Sequence, residues 1–352
     1  MKYLHSLVVS GALLTLIANS AWAAQSVYIP LGDAKKVQII DTNTHQLADT
    51  IDDVGNAHGL AMTPDRRYLV AGSFSESSPD DSTIPRPEAV TEEEHEKHHD
   101  LAATEDTKNV GTSFVSIIDT VNRKVIRRVA VSGAVHHVAI SPDGKFAVTT
   151  HPGTGRISII ELRHFKVVAS IETGPAPNYA AFSNDGASVY VSNTGNNSIS
   201  EIDIAEQREV KHIATGRAPE HIVLSADGLT LYTNNIGDGT ASAISLEDGQ
   251  VTQTFSVGAA PHGIDLSNDG KTLFATSKGD NLLLAISLDS GEKRVIPLSP
   301  APYHLTTVRG TNTLYVSSRQ ENRIWVIDQT TLEVLKEIAI DGIGHQMVVA
   351  SR

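Results

Sequence analysis

The chain has 352 residues, of which 40% are hydrophobic, so it can form a large core as one repeat domain or as two ordinary domains. Its formal net charge of -13 at pH 7 argues against nucleic acid and anionic membrane surfaces as partners and favours cations. There is no cysteine, which excludes disulfides and thiolate metal sites, so any metal would be bound by histidine and carboxylate, ligands that suit Zn²⁺, Cu²⁺ or Ni²⁺.

The first 23 residues match the pattern of a secretory signal peptide. Lys2 precedes an apolar run over residues 7–18, which is too short to span a bilayer, and Ala21-Trp22-Ala23 forms an A-x-A cleavage site. We therefore expect cleavage after Ala23, export to a bacterial periplasm, and a mature protein of residues 24–352 without a membrane anchor.

A repeat of about 42 residues organises the mature chain. Segments such as "HHVAISPDGKFAVTTH", "NYAAFSNDGASVYVSN" and "HGIDLSNDGKTLFATS" recur, and from His136 onward the copies begin at 136, 178, 220, 262, 303 and 345. Each copy alternates apolar with polar residues and has an Asp-Gly or related turn, which is typical of a propeller blade. In the unit at His136 we predict four strands, named A to D from the inside outward, at 136–141, 145–151, 156–161 and 166–171.

The two ends of the chain complete the repeat. The mature N-terminus contributes strands B, C and D of one blade, and the C-terminal "HQMVVASR" contributes its strand A. Together with six internal units, this predicts an all-β, seven-bladed β-propeller of four-stranded blades. The ring is closed where the N-terminal strands pair with the C-terminal strand, which leaves no exposed sheet edge around the ring.

One strand pair carries a resemblance to a known family. The segment "VYVSNTGNNSISEIDI", from Val189 to Ile204, resembles the signature of the YVTN seven-bladed β-propeller family, and related versions recur along nearly the whole mature chain. The resemblance implies the fold and leaves the function open, because this architecture is used by enzymes, haem binders, metal binders and scaffolds.

One blade contains a long insertion. Strand B ends near Gly72 and strand C resumes near Ser113, which places an insertion rich in His and acidic residues at about residues 74–112. Its segment "TEEEHEKHHD" contains H-E-x-x-H, but charged neighbours on every side leave no buried face for a protease helix, so we predict no catalytic residue here. We instead predict metal capture, with a solvated loop without function as the alternative. The predicted ligands are His95, His98 and His99.

A second group of polar residues lies at the start of strand A in every unit. The seven equivalent positions hold His58, His136, Asn178, Glu220, His262, Tyr303 and His345. The next position in the repeat adds His137, Tyr179, His221 and His304. Because the innermost strands of a propeller begin at one mouth of its channel, these side chains should converge there, either as metal ligands or as structural residues that bond to water. The predicted ligands are His58, His136, His262, His345 and Glu220, with His151 on the same face.

The two groups together suggest a function. Loops between strands B and C lie on the same face as the strand A starts, so the insertion should lie over the histidine mouth. This arrangement resembles the AztD-like periplasmic zinc metallochaperones. The resemblance implies a carrier of Zn²⁺, with Cu²⁺ or Ni²⁺ possible, that serves a periplasmic solute-binding protein or metal transporter. Two other classes remain open: a cofactor-dependent or cofactor-handling propeller, such as a haem d1 propeller or a metal-dependent hydrolase, and a protein-interaction scaffold.

Overall fold

A computed structural model describes residues 25–77 and 110–350. The predicted signal peptide and the predicted ligands His95, His98 and His99 lie outside the described residues. Within the described ranges, twenty-eight strands form seven four-stranded antiparallel sheets, and the one helical segment is a short 3-10 turn at Pro152–Thr154. No helix in these ranges is both long and apolar enough to cross a membrane.

The seven sheets follow one another along the chain as blades. The first blade contains β1 (Ser26–Leu31), β2 (Lys36–Asp41) and β3 (Gln46–Ile51), with β28 (Val348–Ala350) as its inner strand. The second contains β4 (Ala57–Met62), β5 (Tyr68–Ser73), β6 (Thr112–Asp119) and β7 (Lys124–Ser132), and the third β8 (Val138–Ile140), β9 (Phe146–His151), β10 (Arg156–Glu161) and β11 (Lys166–Glu172). The fourth contains β12 (Pro177–Phe182), β13 (Ser188–Asn193), β14 (Ser198–Asp203) and β15 (Arg208–Ala214), and the fifth β16 (Pro219–Leu224), β17 (Thr230–Asn235), β18 (Thr240–Ser245) and β19 (Val251–Ser256). The sixth contains β20 (Pro261–Leu266), β21 (Thr272–Ser277), β22 (Leu282–Ser287) and β23 (Lys293–Pro297), and the seventh β24 (Pro302–Thr307), β25 (Thr313–Ser318), β26 (Arg323–Asp328) and β27 (Val334–Ala339).

The predicted ring closure is confirmed. Strand β28 pairs antiparallel with β1, with Ser26 opposite Ala350 and Tyr28 opposite Val348. The strands predicted for the unit at His136 are also observed, except that the inner strand begins at Val138. Each D strand forms the outer edge of its blade, and the inner edges meet around the channel.

The hydrophobic core lies between neighbouring blades. Middle strands such as β25 and β26 are buried along most of their length because each sheet is packed on both faces, whereas the outer strand β19 is mostly exposed. Between the sixth and seventh blades, Phe274, Leu314 and Trp325 are fully or almost fully buried in one cluster. Burial of each such side chain stabilises the fold by roughly 1.5–3 kcal/mol.

In the second to sixth blades the A–B turn is fixed by one repeated carboxylate. Asp143 accepts hydrogen bonds from Ser141 Oγ at 2.7 Å and from the backbone N–H of Lys145 at 3.0 Å, while Gly144 has the positive φ of 70° that the turn requires. The Lys145 ammonium and then the Ser141 hydroxyl lower the pKa of Asp143 to about 2. The same Ser/Thr-x-Asp pattern explains why the Asp-Gly turns were recognisable in the sequence.

In two repeats, a glycine follows the histidine at the start of the inner strand: Gly59 after His58 and Gly263 after His262. The backbone of the next blade lies too close to these glycines to leave room for a side chain. A Cβ on Gly263 would lie 2.5 Å from Tyr303 O and 2.8 Å from Leu305 N, which are backbone atoms. We expect Gly263→Ala to lower the free energy of unfolding by about 1–3 kcal/mol through overpacking. Urea unfolding should show this loss, whereas Gly153→Ala, with no atom within 4 Å of its added Cβ, should leave stability almost unchanged. Equal stability of the two variants would contradict the prediction.

Candidate metal centre

A β-bulge at the start of the inner strands brings two consecutive side chains to the channel mouth. Between Pro219 and Ile222 the register shifts, so that Glu220 and His221 face a single residue, Asn234, of the neighbouring strand. The same shift occurs in β12, β20 and β24. Because a bulge redirects a side chain that regular alternation would send to the other face, both of the repeat positions predicted for the mouth reach it.

Polar side chains opposite these bulges tie each blade to the next. Thr276 Oγ1 accepts a hydrogen bond from Gly263 N and donates one to Tyr303 O of the seventh blade, both at 2.8 Å. Thr150 makes the equivalent bonds, accepting from His137 N at 3.0 Å and donating to Asn178 O at 2.8 Å. The backbone that carries the mouth residues is therefore held on both sides.

Seven buried imidazoles pack together at the mouth, and six of them, called the histidine cluster here, have ligand nitrogens that form close groups. The histidine cluster consists of His58, His136, His137, His221, His304 and His345. The ring centroid of His58 lies 4.5 Å from that of His136 and 4.2 Å from that of His345, and His221 and His304 are 4.8 Å apart. The predicted convergence of His58, His136 and His345 at the mouth is thus observed.

Within the cluster, three groups of three histidines place their ligand nitrogens within 4.8 Å of one another. The groups are His58–His304–His345, His58–His136–His137 and His137–His221–His304. Three of the six histidines, His137, His221 and His304, were recognised in the sequence as mouth residues but not as ligands.

Backbone carbonyls fix the tautomers of three of these rings, one of them His136, whose Nδ1 lies 3.3 Å from Asn178 O. His58 Nδ1 lies 2.9 Å from His136 O, and His137 Nδ1 lies 2.9 Å from Asn178 O. Because a carbonyl oxygen only accepts, each Nδ1 carries the proton, and the lone pair of the neutral ring is on Nε2. Histidine ligands of metals are commonly held in this way by a hydrogen bond from the second ring nitrogen.

His304 has the properties of a ligand that stays neutral. It is 3% exposed, and its Nε2 has no hydrogen-bond partner among the residues that the structure describes. Burial, and then repulsion from His221, His262 and other neighbouring imidazoles, hold its pKa well below the usual histidine value. A neutral buried imidazole with an unsatisfied nitrogen fits the chemistry of a divalent ion of the zinc or copper type.

The predicted ligands Glu220 and His262 form a pair beside the cluster. Glu220 Oε2 lies 2.9 Å from His262 Nδ1, and the two residues are 0% and 1% exposed. The His262 ring stacks on Tyr303 with 3.9 Å between centroids and lies 4.3 Å from the His221 ring. Neither member of the pair belongs to the three groups, so the structure places them next to the histidine cluster rather than within it.

The predicted ligand His151 is placed differently, inside its own blade. Its Nδ1 donates to the carbonyl of Gly133 at 3.1 Å, and its Nε2 lies 3.0 Å from Thr149 Oγ1 and 2.9 Å from Ser158 Oγ. Burial lowers its pKa to about 4. The structure therefore does not bring His151 to the histidine cluster, and both of its nitrogens take part in hydrogen bonds within the third blade.

The predicted insertion joins the fold beside the histidine cluster. Ser77 and Thr112 pair through two backbone hydrogen bonds of 2.9 and 3.1 Å, which form a neck at the boundary of the described residues. Just before the neck, the Phe74 ring lies 5.3 Å from the His58 ring and 5.6 Å from the His136 ring. The root of the insertion thus contacts two cluster members on the face predicted from the topology.

Gln346 closes the channel behind the cluster. Its Oε1 accepts from the backbone N–H of Leu60 at 3.0 Å and of Val138 at 3.2 Å, and its Nε2 donates to Val138 O and to the Tyr179 hydroxyl. Next to it is a cavity of about 130 Å³ whose lining includes His304. The cluster is therefore bordered by polar groups and by this cavity on the side of Gln346.

The fold and the site together define a seven-bladed β-propeller with a buried histidine cluster at one channel mouth. No protein-family model and no curated protein matches the chain, so the relation to the YVTN and AztD-like families stays a prediction.

Solved structures do match, at low sequence identity. The periplasmic gluconolactonase PpgL of Pseudomonas aeruginosa is 16% identical with a TM-score of 0.71, over 93% of this chain and 99% of that one. Hydrazine synthase of Kuenenia stuttgartiensis is 19% identical with a TM-score of 0.65, over 82% and 87%. The dihydro-haem d1 dehydrogenase NirN is 15% identical with a TM-score of 0.63, over 89% and 63%. At these identities the similarity shows the fold alone.

Proposed function

We propose that this protein is a periplasmic metal-binding protein that carries a zinc or copper ion in the histidine cluster. The observation that supports this most strongly is the burial of six imidazoles whose ligand nitrogens form three groups within 4.8 Å. A neutral imidazole offers a lone pair to divalent ions of the zinc or copper type, so six buried imidazoles with their nitrogens this close together form a set of ligands for such an ion.

The ligand chemistry favours borderline cations. Zinc binds imidazole nitrogens at about 2.0–2.1 Å, which places ligand atoms around one ion roughly 3.3 Å apart. The observed groups are within 4.8 Å, so shifts of about an ångström would close each one around an ion. Three protein ligands leave a fourth position for another donor, which suits a carrier because a partner could attach there before it takes the ion.

The cellular setting is part of the proposal. The signal-peptide pattern at residues 1–23 supports export, and the gluconolactonase PpgL shows the same fold in a periplasmic protein. The insertion, with His95, His98 and His99, would capture dilute ions beside the mouth, and the receiver would be a periplasmic solute-binding protein or metal transporter. The root of the insertion at Phe74 lies against the cluster, which suits transfer between them.

A metal-dependent hydrolase is less well supported. Such an enzyme would need carboxylate ligands at the mouth, but the carboxylate there, Glu220, is hydrogen-bonded to His262 and belongs to none of the three histidine groups. A haem-handling role, as the name of NirN suggests for that protein, would be revealed by haem binding to the purified protein.

Metal titration tests the proposal. Metal-free mature protein should bind Zn²⁺ or Cu²⁺ with a dissociation constant below about 10 μM, that is, more tightly than about -7 kcal/mol. Binding should weaken at low pH, because each imidazole must be neutral to act as a ligand, and the pKa of His304, held well below the usual histidine value, places its own protonation well below pH 6.5. The matched control is His164→Ala with His212→Ala, which removes two exposed histidines and should leave binding unchanged. Absence of binding to Zn²⁺, Cu²⁺ and Ni²⁺ would overturn the proposal.

A further inference from the structure

We infer that the histidine cluster holds one ion at three overlapping positions, among which the ion can move, rather than at one fixed site. The inference rests on the proposed metal-binding function. It concerns how the ligands are shared, which the three groups of histidines make explicit.

The three groups are connected in a closed pattern. His58 belongs to the first and second groups, His137 to the second and third, and His304 to the third and first. The remaining three histidines, His136, His221 and His345, belong to one group each. Every pair of positions therefore shares one histidine, and no position is separate from the others.

Sharing limits the occupancy to one ion at a time. A neutral imidazole offers a single lone pair, and in His58 and His137 the other nitrogen donates its proton to a carbonyl oxygen at 2.9 Å. An ion at one position therefore takes the shared nitrogen that each neighbouring position needs.

Sharing also provides a path. When an ion passes from one position to the next, it keeps its bond to the shared histidine while the other two ligands are exchanged. The position formed by His58, His136 and His137 lies beside Phe74 at the root of the insertion. The position formed by His137, His221 and His304 borders the cavity next to Gln346. An ion that enters beside the insertion thus has a deeper position one step away.

Two double variants that each remove two histidines distinguish shared ligation from a site fixed at either group that contains His58, and the Co²⁺ spectrum described below distinguishes it from a site fixed at the third group. His58→Ala with His304→Ala breaks all three groups, whereas His136→Ala with His345→Ala leaves the group of His137, His221 and His304 intact. In titrations with Zn²⁺ in competition with a chelator, we expect the first pair to weaken binding at least about 100-fold. The second pair should keep one equivalent of Zn²⁺ within about tenfold of the wild-type affinity.

The outcomes separate this inference from the proposed function. If the wild type binds no metal, the proposed function fails. If the wild type binds one equivalent but the His136/His345 pair loses affinity as severely as the His58/His304 pair, the site is fixed and the inference is overturned. Two equivalents in the cluster of the wild type would overturn it as well.

One further variant guards against a folding defect, and one spectroscopic measurement tests directly whether the ion is shared among the three positions. His58→Ala with His137→Ala also breaks every group, so it should reproduce the loss if His58/His304 fails to fold. The absorption spectrum of bound Co²⁺ should differ between the wild type and the His136/His345 pair, because the ion is then confined to one of the three ligand sets. Identical spectra would contradict the inference.

Discussion

Replacement of His262 by alanine is expected to lower the free energy of unfolding by about 3–5 kcal/mol. The Glu220 carboxylate is completely buried, and its Oε2 lies 2.9 Å from His262 Nδ1. Removal of the imidazole takes away this hydrogen bond, and a carboxylate that stays buried without it is strongly destabilising. Urea unfolding of the metal-free protein, with a chelator present, measures the loss.

A double variant separates the effect of the buried Glu220 charge from the effect of losing the packing of the His262 ring. Glu220→Gln keeps an oxygen that accepts the hydrogen bond from His262, so it should be milder than His262→Ala. In the double variant the buried group is a neutral amide, which costs less free energy without its partner than a carboxylate does, so the free energy of unfolding should rise above that of His262→Ala alone. A double variant no more stable than His262→Ala would show that packing against Tyr303, and not the buried charge, accounts for the effect.

The second large effect is an acid destabilisation caused by His151. Its pKa is about 4 in the folded protein because of burial, against an ordinary histidine value of 6.5. Between these two values the unfolded chain binds more protons than the native protein, so stability falls as the pH drops from 6.5 and the loss is complete below 4. The difference of about 2.5 units corresponds to about 3 kcal/mol near pH 4 and about 2 kcal/mol at pH 5.

Replacement of His151 by a neutral residue that does not titrate isolates its contribution to the pH dependence of stability. His151→Gln can offer a donor to Gly133 O and an acceptor to the hydroxyl of Ser158, and it does not titrate. Urea unfolding at pH 7 and pH 5 should therefore show a smaller decrease in stability for the variant than for the wild type, by about 2 kcal/mol. An identical decrease in both proteins would mean that His151 takes up its proton as readily in the folded protein as in the unfolded chain, so that burial does not lower its pKa.

The fold could be predicted almost completely from the sequence. The 42-residue repeat, the alternation of apolar residues and the Ser/Thr-x-Asp-Gly turns all specify the same four-stranded unit, and their agreement is what made the strand boundaries accurate. Closure of the ring could be predicted by counting strands, because the N-terminal unit lacks strand A and the C-terminal segment supplies strand A alone. The two chain ends supply a complete blade only together.

The site was predicted in part, for a definable reason. Alignment of the repeats correctly brought His58, His136 and His345 to one place, since equivalent positions in a propeller are related by the symmetry of the ring. Alternation along a strand would send His221 to the opposite side from Glu220, and only the bulge at this point brings both to the mouth. The repeated polar pairs "HH", "EH" and "YH" were the signal available for that bulge.

His151 shows the converse limit. Its position on the correct face was inferred from topology, but the direction of its ring depends on Thr149 and Ser158, which hold it within the third blade. A hydrogen bond between strands of one blade outweighs the general tendency of a loop residue to face the mouth. Which nitrogen meets which hydroxyl is a property of packing that residue spacing does not encode.

Ring closure also sets the time at which the histidine cluster is completed. Ser26 and its partner Ala350 are separated by more than three hundred residues, so the first blade cannot be completed until nearly the whole chain has been synthesised. His345 lies in the segment that leads into this strand, and its backbone N–H bonds to Pro30 O. Strand β28, which closes the ring, and His345, one member of the histidine cluster, are thus added to the fold together. The group of His58, His304 and His345 is therefore completed in the same event that makes the chain a closed ring, whereas the other two groups contain no residue of the C-terminal segment.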